Sequence, residues 1–104
     1  MEIIVDYQGL AVRLTGERLA HILDHPEMAG LEAAISETLR HPDLVIQSIS
    51  DEAARLYYRF HAGTRMGDKF VSVVVKVEAS DAFVLTAYLT DRPKKGTVVW
   101  SAST

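Results

Sequence analysis

The segment Arg55-Leu56-Tyr57-Tyr58-Arg59-Phe60-His61 carries the densest chemistry in the chain. Read as a strand it alternates, with Leu56, Tyr58 and Phe60 pointing one way and Arg55, Tyr57, Arg59 and His61 the other. The second set holds two guanidiniums, a phenol and an imidazole, and no acid. A guanidinium grips phosphate oxygens through a bidentate fork, and tyrosine or histidine rings stack on bases. The pattern suits a phosphate- and base-binding surface; the solvated side of a half-exposed strand would carry the same pattern.

His21 and His25 stand four residues apart, a spacing that puts both on one helix face. Two histidines at i and i+4 are two-thirds of a zinc site, but no third ligand follows at a usable spacing. The residues between them, Ile22-Leu23-Asp24, lack the glutamate that a metalloprotease needs. No metal and no cofactor is therefore expected. As general acid or base the pair is better suited, because imidazoles titrate near neutrality. Thr86 and Tyr88 share one face of a later strand, where a hydroxyl can hold phosphate and a phenol can stack or donate to a developing oxyanion. Lys76 is conspicuous inside a valine-rich strand. A three-residue turn after it would set it opposite Thr86, and a two-residue turn opposite Leu85. Arg92-Pro93-Lys94-Lys95-Gly96 is a short basic loop, in which Arg92 and Lys94 could hold a nucleic-acid backbone. His41, before Pro42, reads as part of a helix stop, and His61 as the end of its strand.

These residues need elements to hold them. Ile3–Val5 and Leu10–Arg13 read as two short strands around Tyr7-Gln8-Gly9, where Gly9 can take positive φ. Thr15 can cap a first helix bearing Leu19, Ile22 and Leu23, which Pro26 stops. Leu31, Ala34, Ile35, Thr38 and Leu39 follow helical periodicity up to Arg40. Strands follow at Leu44–Ile49, Arg55–His61, Phe70–Glu78 and Phe83–Thr90, with a last edge strand at Thr97–Trp100. Gly63–Asp68 reads as a loop. The order predicts an α+β domain: two N-terminal helices packed on one face of a four- to five-stranded antiparallel meander sheet, whose other face carries the polar set.

At 104 residues the chain has room for one core, so residues 1–104 are read as a single domain. Hydrophobic residues make up 48% and charged residues 24%, an ordinary globular balance. No apolar run approaches the roughly 18 residues of a membrane span, and the acidic start Met1-Glu2-Ile3-Ile4-Val5-Asp6 is unlike a signal peptide. With no cysteine in the chain, the expectation is a cytoplasmic protein with no membrane partner. The net charge of −3 argues against a general nucleic-acid coat. The charge is uneven, however. Up to Glu52 there are ten acids and three bases, and from Ala53 on there are eight bases and four acids. A basic face on an acidic protein is consistent with that split.

Several segments together resemble the phage-type domains of the barnase/EndoU/colicin/RelE-like (BECR) nuclease fold. Arg18 to Glu27 resembles the family's opening helix, Pro42-Asp43-Leu44-Val45 its helix-to-strand step, and Leu56–Arg59, Phe70–Lys76 and Phe83–Tyr88 its three strands. The resemblance spans about Thr15 to Gly96. It implies metal-independent RNA cleavage, in which the 2′-hydroxyl attacks the adjacent phosphate. In that scheme His21 or His25 is the base, Arg59 stabilises the phosphorane, and Thr86 and Tyr88 orient phosphate or base. Arg55, Tyr57, Lys76, Arg92 and Lys94 would bind substrate. The implied partners are RNA and, for a toxin-like nuclease, an antitoxin or immunity protein. The alternative is a non-catalytic RNA- or protein-binding module of the same fold. Geometry separates the two, because catalysis requires a histidine beside Arg59 and Tyr88.

Overall fold

A computed structural model describes residues 1–102. The chain opens as a hairpin of β1 (Glu2–Val5) and β2 (Ala11–Leu14). Ile4, Val12 and Leu14 alternate onto its buried side. Its turn is built by Asp6, whose Oδ1 accepts the N–H of Gln8 and of Leu10, both at 2.9 Å, while Gly9 takes φ +89°. Thr15 caps α1 (Gly16–Leu23), its Oγ1 accepting the Arg18 N–H at 3.1 Å. Pro26 ends that run and starts a single 3-10 turn, Pro26–Met28. Helix α2 (Glu32–Arg40) then buries Ala34, Ile35, Thr38 and Leu39 as one stripe.

Five strands complete the chain: β3 (Leu44–Gln47), β4 (Ala54–Thr64), β5 (Gly67–Val77), β6 (Ala82–Thr90) and β7 (Thr97–Ser101). The sheet order is β1-β2-β6-β5-β4-β3-β7. The run β3-β4-β5-β6 is an antiparallel meander, β7 returns to pair antiparallel with β3, and β2 lies parallel to β6 at Arg13 and Phe83.

The expected architecture is thereby corrected. The sheet is mixed and seven-stranded, not a four- to five-stranded antiparallel meander. The helices lie between β2 and β3 in sequence rather than ahead of the sheet. The cause is the hairpin, which cannot bury Ile4, Val12 and Leu14 alone and does so by extending the sheet beside β6. The expected Gly63–Asp68 loop also shortens. Gly63 and Gly67, at φ +71° and +93°, carry the β4 and β5 strands almost to their common tip.

Both helices pack on one face of the sheet. The main core joins Ile22, Ile35 and Leu39 to Val12, Val45, Tyr57, Val71, Val73, Val75, Val84 and Ala87. Leu19, Leu23 and Leu31 are only half-buried at its margin. A second, smaller apolar cluster of Ile46, Leu56 and Tyr58, flanked by Leu44, Phe70 and Val74, occupies the opposite face. Among the described residues no helix covers that face. Its roof is the β6–β7 connection, which must pass over β5, β4 and β3 to reach the far edge.

Candidate anion-binding cleft on the open sheet face

Strand β4 reverses the facing expected for it. Tyr57 lies on the helix-covered side, fully buried, and its hydroxyl donates to Asp6 Oδ2 at 2.6 Å. Burial, reinforced by the Asp6 carboxylate, pushes the Tyr57 phenol far above its ordinary pKa. Arg55 lies beside this group, where its charge acts on Tyr7 and Tyr57. Arg59 reaches α2, with Nε donating to Glu37 Oε1 at 2.8 Å and Nη1 to the His41 carbonyl at 2.7 Å. The expected acid-free phosphate face of Arg55, Tyr57 and Arg59 is therefore a covered face, and Arg59 is ion-paired there. The reason is cumulative. Val45, Val71, Val73 and Val75 occupy the same side in neighbouring strands, and their burial outweighs the polarity of one strand.

The helix histidines lie in the same layer as the helices. Both are exposed, with ring centroids 6.2 Å apart. His21 lines a shallow cleft with Thr15, Glu17, Arg18 and Asp24. Arg59 lines another, with Tyr7, Arg40, His41 and Trp100. Thr86 and Tyr88 are across the sheet, because they oppose Val74 and Ser72 on the open face while Ala87 between them enters the main core. The five residues expected to form one catalytic group are thus divided among three surfaces.

The open face does gather four of the expected side chains. A cleft of about 470 Å³ has Leu56 and Val74 as its floor, Thr86 and Tyr88 along one side, and Lys94 and Lys95 at its mouth. Its other wall is the β3–β4 turn, from Ser48 through Ile49 and Ser50 to Asp51. Lys76 stands behind that wall and ties it to the sheet, its Nζ meeting Asp51 Oδ2 at 2.5 Å. The Lys76 ammonium holds the Asp51 carboxyl below its ordinary range, helped by the Ala53 N–H, and Asp51 in turn raises Lys76. Neither expected register of Lys76 is realised. The turn spans Glu78 to Asp81, Lys76 opposes Phe83, and an irregularity between Val74 and Val75 sets Thr86 against Val74.

Tyr58, Ser72 and Tyr88 stand side by side across β4, β5 and β6. The Tyr58 hydroxyl accepts the Lys94 N–H at 3.1 Å, which pins the basic loop to the sheet. Burial raises the Tyr58 phenol, and the neighbouring Tyr88 phenol adds to the rise. The hydroxyls of Ser72 and Tyr88 lie close enough to act on Tyr58, but neither completes a well-formed hydrogen bond of its own. The Lys94 ammonium sits 5.9 Å from the centre of the Tyr88 ring. Among the described residues, Lys94 and Lys95 have no carboxylate within ion-pair reach, whereas Lys69 is paired with Asp91 and Arg13 with Asp81. Arg92 is exposed on the same loop, its carbonyl accepting the Thr90 hydroxyl at 3.0 Å.

Sequence reasoning included Lys95 in the basic loop without singling it out, and it missed the Ser48–Asp51 wall. The available signal was a buried-looking lysine, Lys76, in need of an acid, with Asp51 in the turn before the partner strand. Among the described residues no helix is long and apolar enough to cross a membrane, and no three His, Cys, Asp or Glu side chains cluster as metal ligands would. No family model, curated protein or solved structure matches the chain.

Proposed function

We propose that the domain is a non-catalytic binding module that holds single-stranded RNA on its open sheet face. The observation that carries this reading is the open-face cleft, in which Lys94 and Lys95, free of carboxylates, meet Thr86 and Tyr88 over an apolar floor. Unpaired ammonium groups supply the sequence-independent attraction to phosphate, and hydroxyls add orientation. Across the loop, Phe60 is 49% exposed with its ring 5.4 Å from Phe70, a platform on which a base can stack. The acids of α1 and α2 lie in the other layer, and Asp51, which lines the cleft, is paired with Lys76. Histidine-catalysed cleavage has weaker support, because the sheet separates His21 and His25 from Tyr88 and Thr86.

The test is fluorescence polarisation with short single-stranded RNA in EDTA, followed by a denaturing gel. Binding should weaken as salt rises, and the Lys94→Ala/Lys95→Ala variant should lower the salt slope by about 1.4, the value for two lost single-strand contacts. The RNA should stay intact with wild type and with His21→Ala/His25→Ala alike. Cleavage by wild type that the double histidine variant loses would reinstate the nuclease reading.

A further inference from the structure

The connection that supplies the lysines also limits what can enter the cleft. Residues 91–96 leave β6 beside Phe70 and rejoin the sheet where Thr97 pairs with Gln47, crossing the open face diagonally over three strands. The strap is held down at two points. Lys94 N–H donates to the Tyr58 hydroxyl, and Gly96 lies so close to β3 that an added Cβ would stand 2.4 Å from Ile46 Cγ2 and 2.5 Å from the Gln47 carbonyl oxygen. On the opposite side the β3–β4 turn is closed by the Ser48 N–H to Ala54 carbonyl bond at 2.9 Å and by the Asp51–Lys76 pair. The cleft is therefore blind on its strap side, and a polymer cannot run through beneath a covalent bridge bound to the sheet. A chain end can enter.

The charges inside agree with an end. Asp51 and Lys76 cancel each other, which leaves the two ammonium groups of Lys94 and Lys95. An internal phosphodiester carries one negative charge, whereas a terminal phosphomonoester carries close to two at neutral pH and offers three acceptor oxygens. The Thr86 hydroxyl, which lines the cleft, is a donor available to such an oxygen. Ile49, 77% exposed on the rim, and Leu56 and Val74 on the floor leave apolar surface for the attached nucleoside.

We infer that the cleft is a phosphomonoester pocket that takes the phosphorylated terminal nucleotide of an RNA strand. The inference rests on the RNA-binding proposal for its polymer but not for its ligand chemistry, since a free nucleoside monophosphate presents the same group. The test measures one oligoribonucleotide in three forms (5′-phosphate, 3′-phosphate, unphosphorylated) by fluorescence polarisation. A nucleoside 5′-monophosphate is followed in parallel by amide chemical shifts of wild-type protein. One phosphorylated end should bind about tenfold more tightly than the unphosphorylated strand, the scale of one added charge-assisted contact. Lys94→Ala/Lys95→Ala should abolish that preference, with an unchanged melting temperature because both side chains are exposed. Equal affinity for all three strands overturns the pocket and leaves RNA binding standing. Monophosphate shifts around Thr86, Tyr88 and Lys95 without binding of any strand keep the pocket, assign it to free nucleotides and overturn the RNA proposal. Silence toward every probe overturns both.

Discussion

The two faces of the sheet begin with similar material, alternating apolar side chains on neighbouring strands, and end as different environments. On the helix-covered face the one deeply buried carboxylate among the described residues, Asp6, is engaged by the backbone of its own turn and by the Tyr57 hydroxyl. There a polar group serves as a clamp between the hairpin and the meander. On the open face the roof is six residues of loop, pinned by one backbone hydrogen bond and one close glycine approach. A helix presents a continuous apolar stripe and satisfies its own backbone, so it seals a face; a single crossing strand covers only what lies beneath it. The second kind of roof leaves unpaired ammonium groups and the Thr86 hydroxyl beside accessible volume, and those are the materials of a binding site.

The largest effect should come from the sealed face. Asp6→Ala strips the acceptor from two turn N–H groups and from the buried Tyr57 hydroxyl. By the cost of lost charge-assisted bonds it should destabilise the protein by about 3 kcal/mol or more in urea unfolding. The affinity of the remaining folded molecules for RNA should stay at the wild-type value. A parallel loss of affinity would mean the two faces are coupled. Gly96→Ala probes the other roof. Its methyl group meets a β3 backbone oxygen that cannot swing aside, so overpacking should cost about 1–3 kcal/mol, and the displaced strap should weaken binding as well. Unchanged binding in that variant would show that the strap does not shape the cleft. The smallest effect is a titration. Asp51 in the folded protein should ionise with a midpoint below 3.8, and Lys76→Met should return it toward that value, as followed by NMR of the carboxyl carbon. Because the folded value is depressed, the pair's contribution is present above the ordinary aspartate range. It is lost as pH falls through the folded midpoint, so acid should loosen the β3–β4 wall.

Much of this was legible in local pattern. The proline after His25, the cap at Thr15, the helical stripe around Ile35 and the alternation of β4 through β6 each follow from constraints acting within a few residues. That Thr86 and Tyr88 share one face of a strand was also legible, because they stand two residues apart. The grouping of His25 with Arg59 and Tyr88 was not. It required knowing which side of the sheet the helices cover, and β4 alone points an equally regular set of side chains each way. Lys76 shows the same difficulty at smaller scale: a four-residue turn sets it opposite Phe83, and a bulge between Val74 and Val75, which no turn residue announced, then sets Thr86 against Val74.

By itself, then, the amino-acid order determined which segments become helix and which strand and which residues share a side of each, though not the ends of β3, β4 and β5, because backbone sterics, capping and period-2 or period-3.6 burial are local. Tertiary structure alone decided that the hairpin joins β6 in parallel and that Tyr57 and Arg59 go under the helices. It also decided that the strap from β6 to β7 crosses the open face and carries Lys94 over Tyr88. Each of those outcomes compares one whole face of burial with another, and that sum runs over strands far apart in the chain.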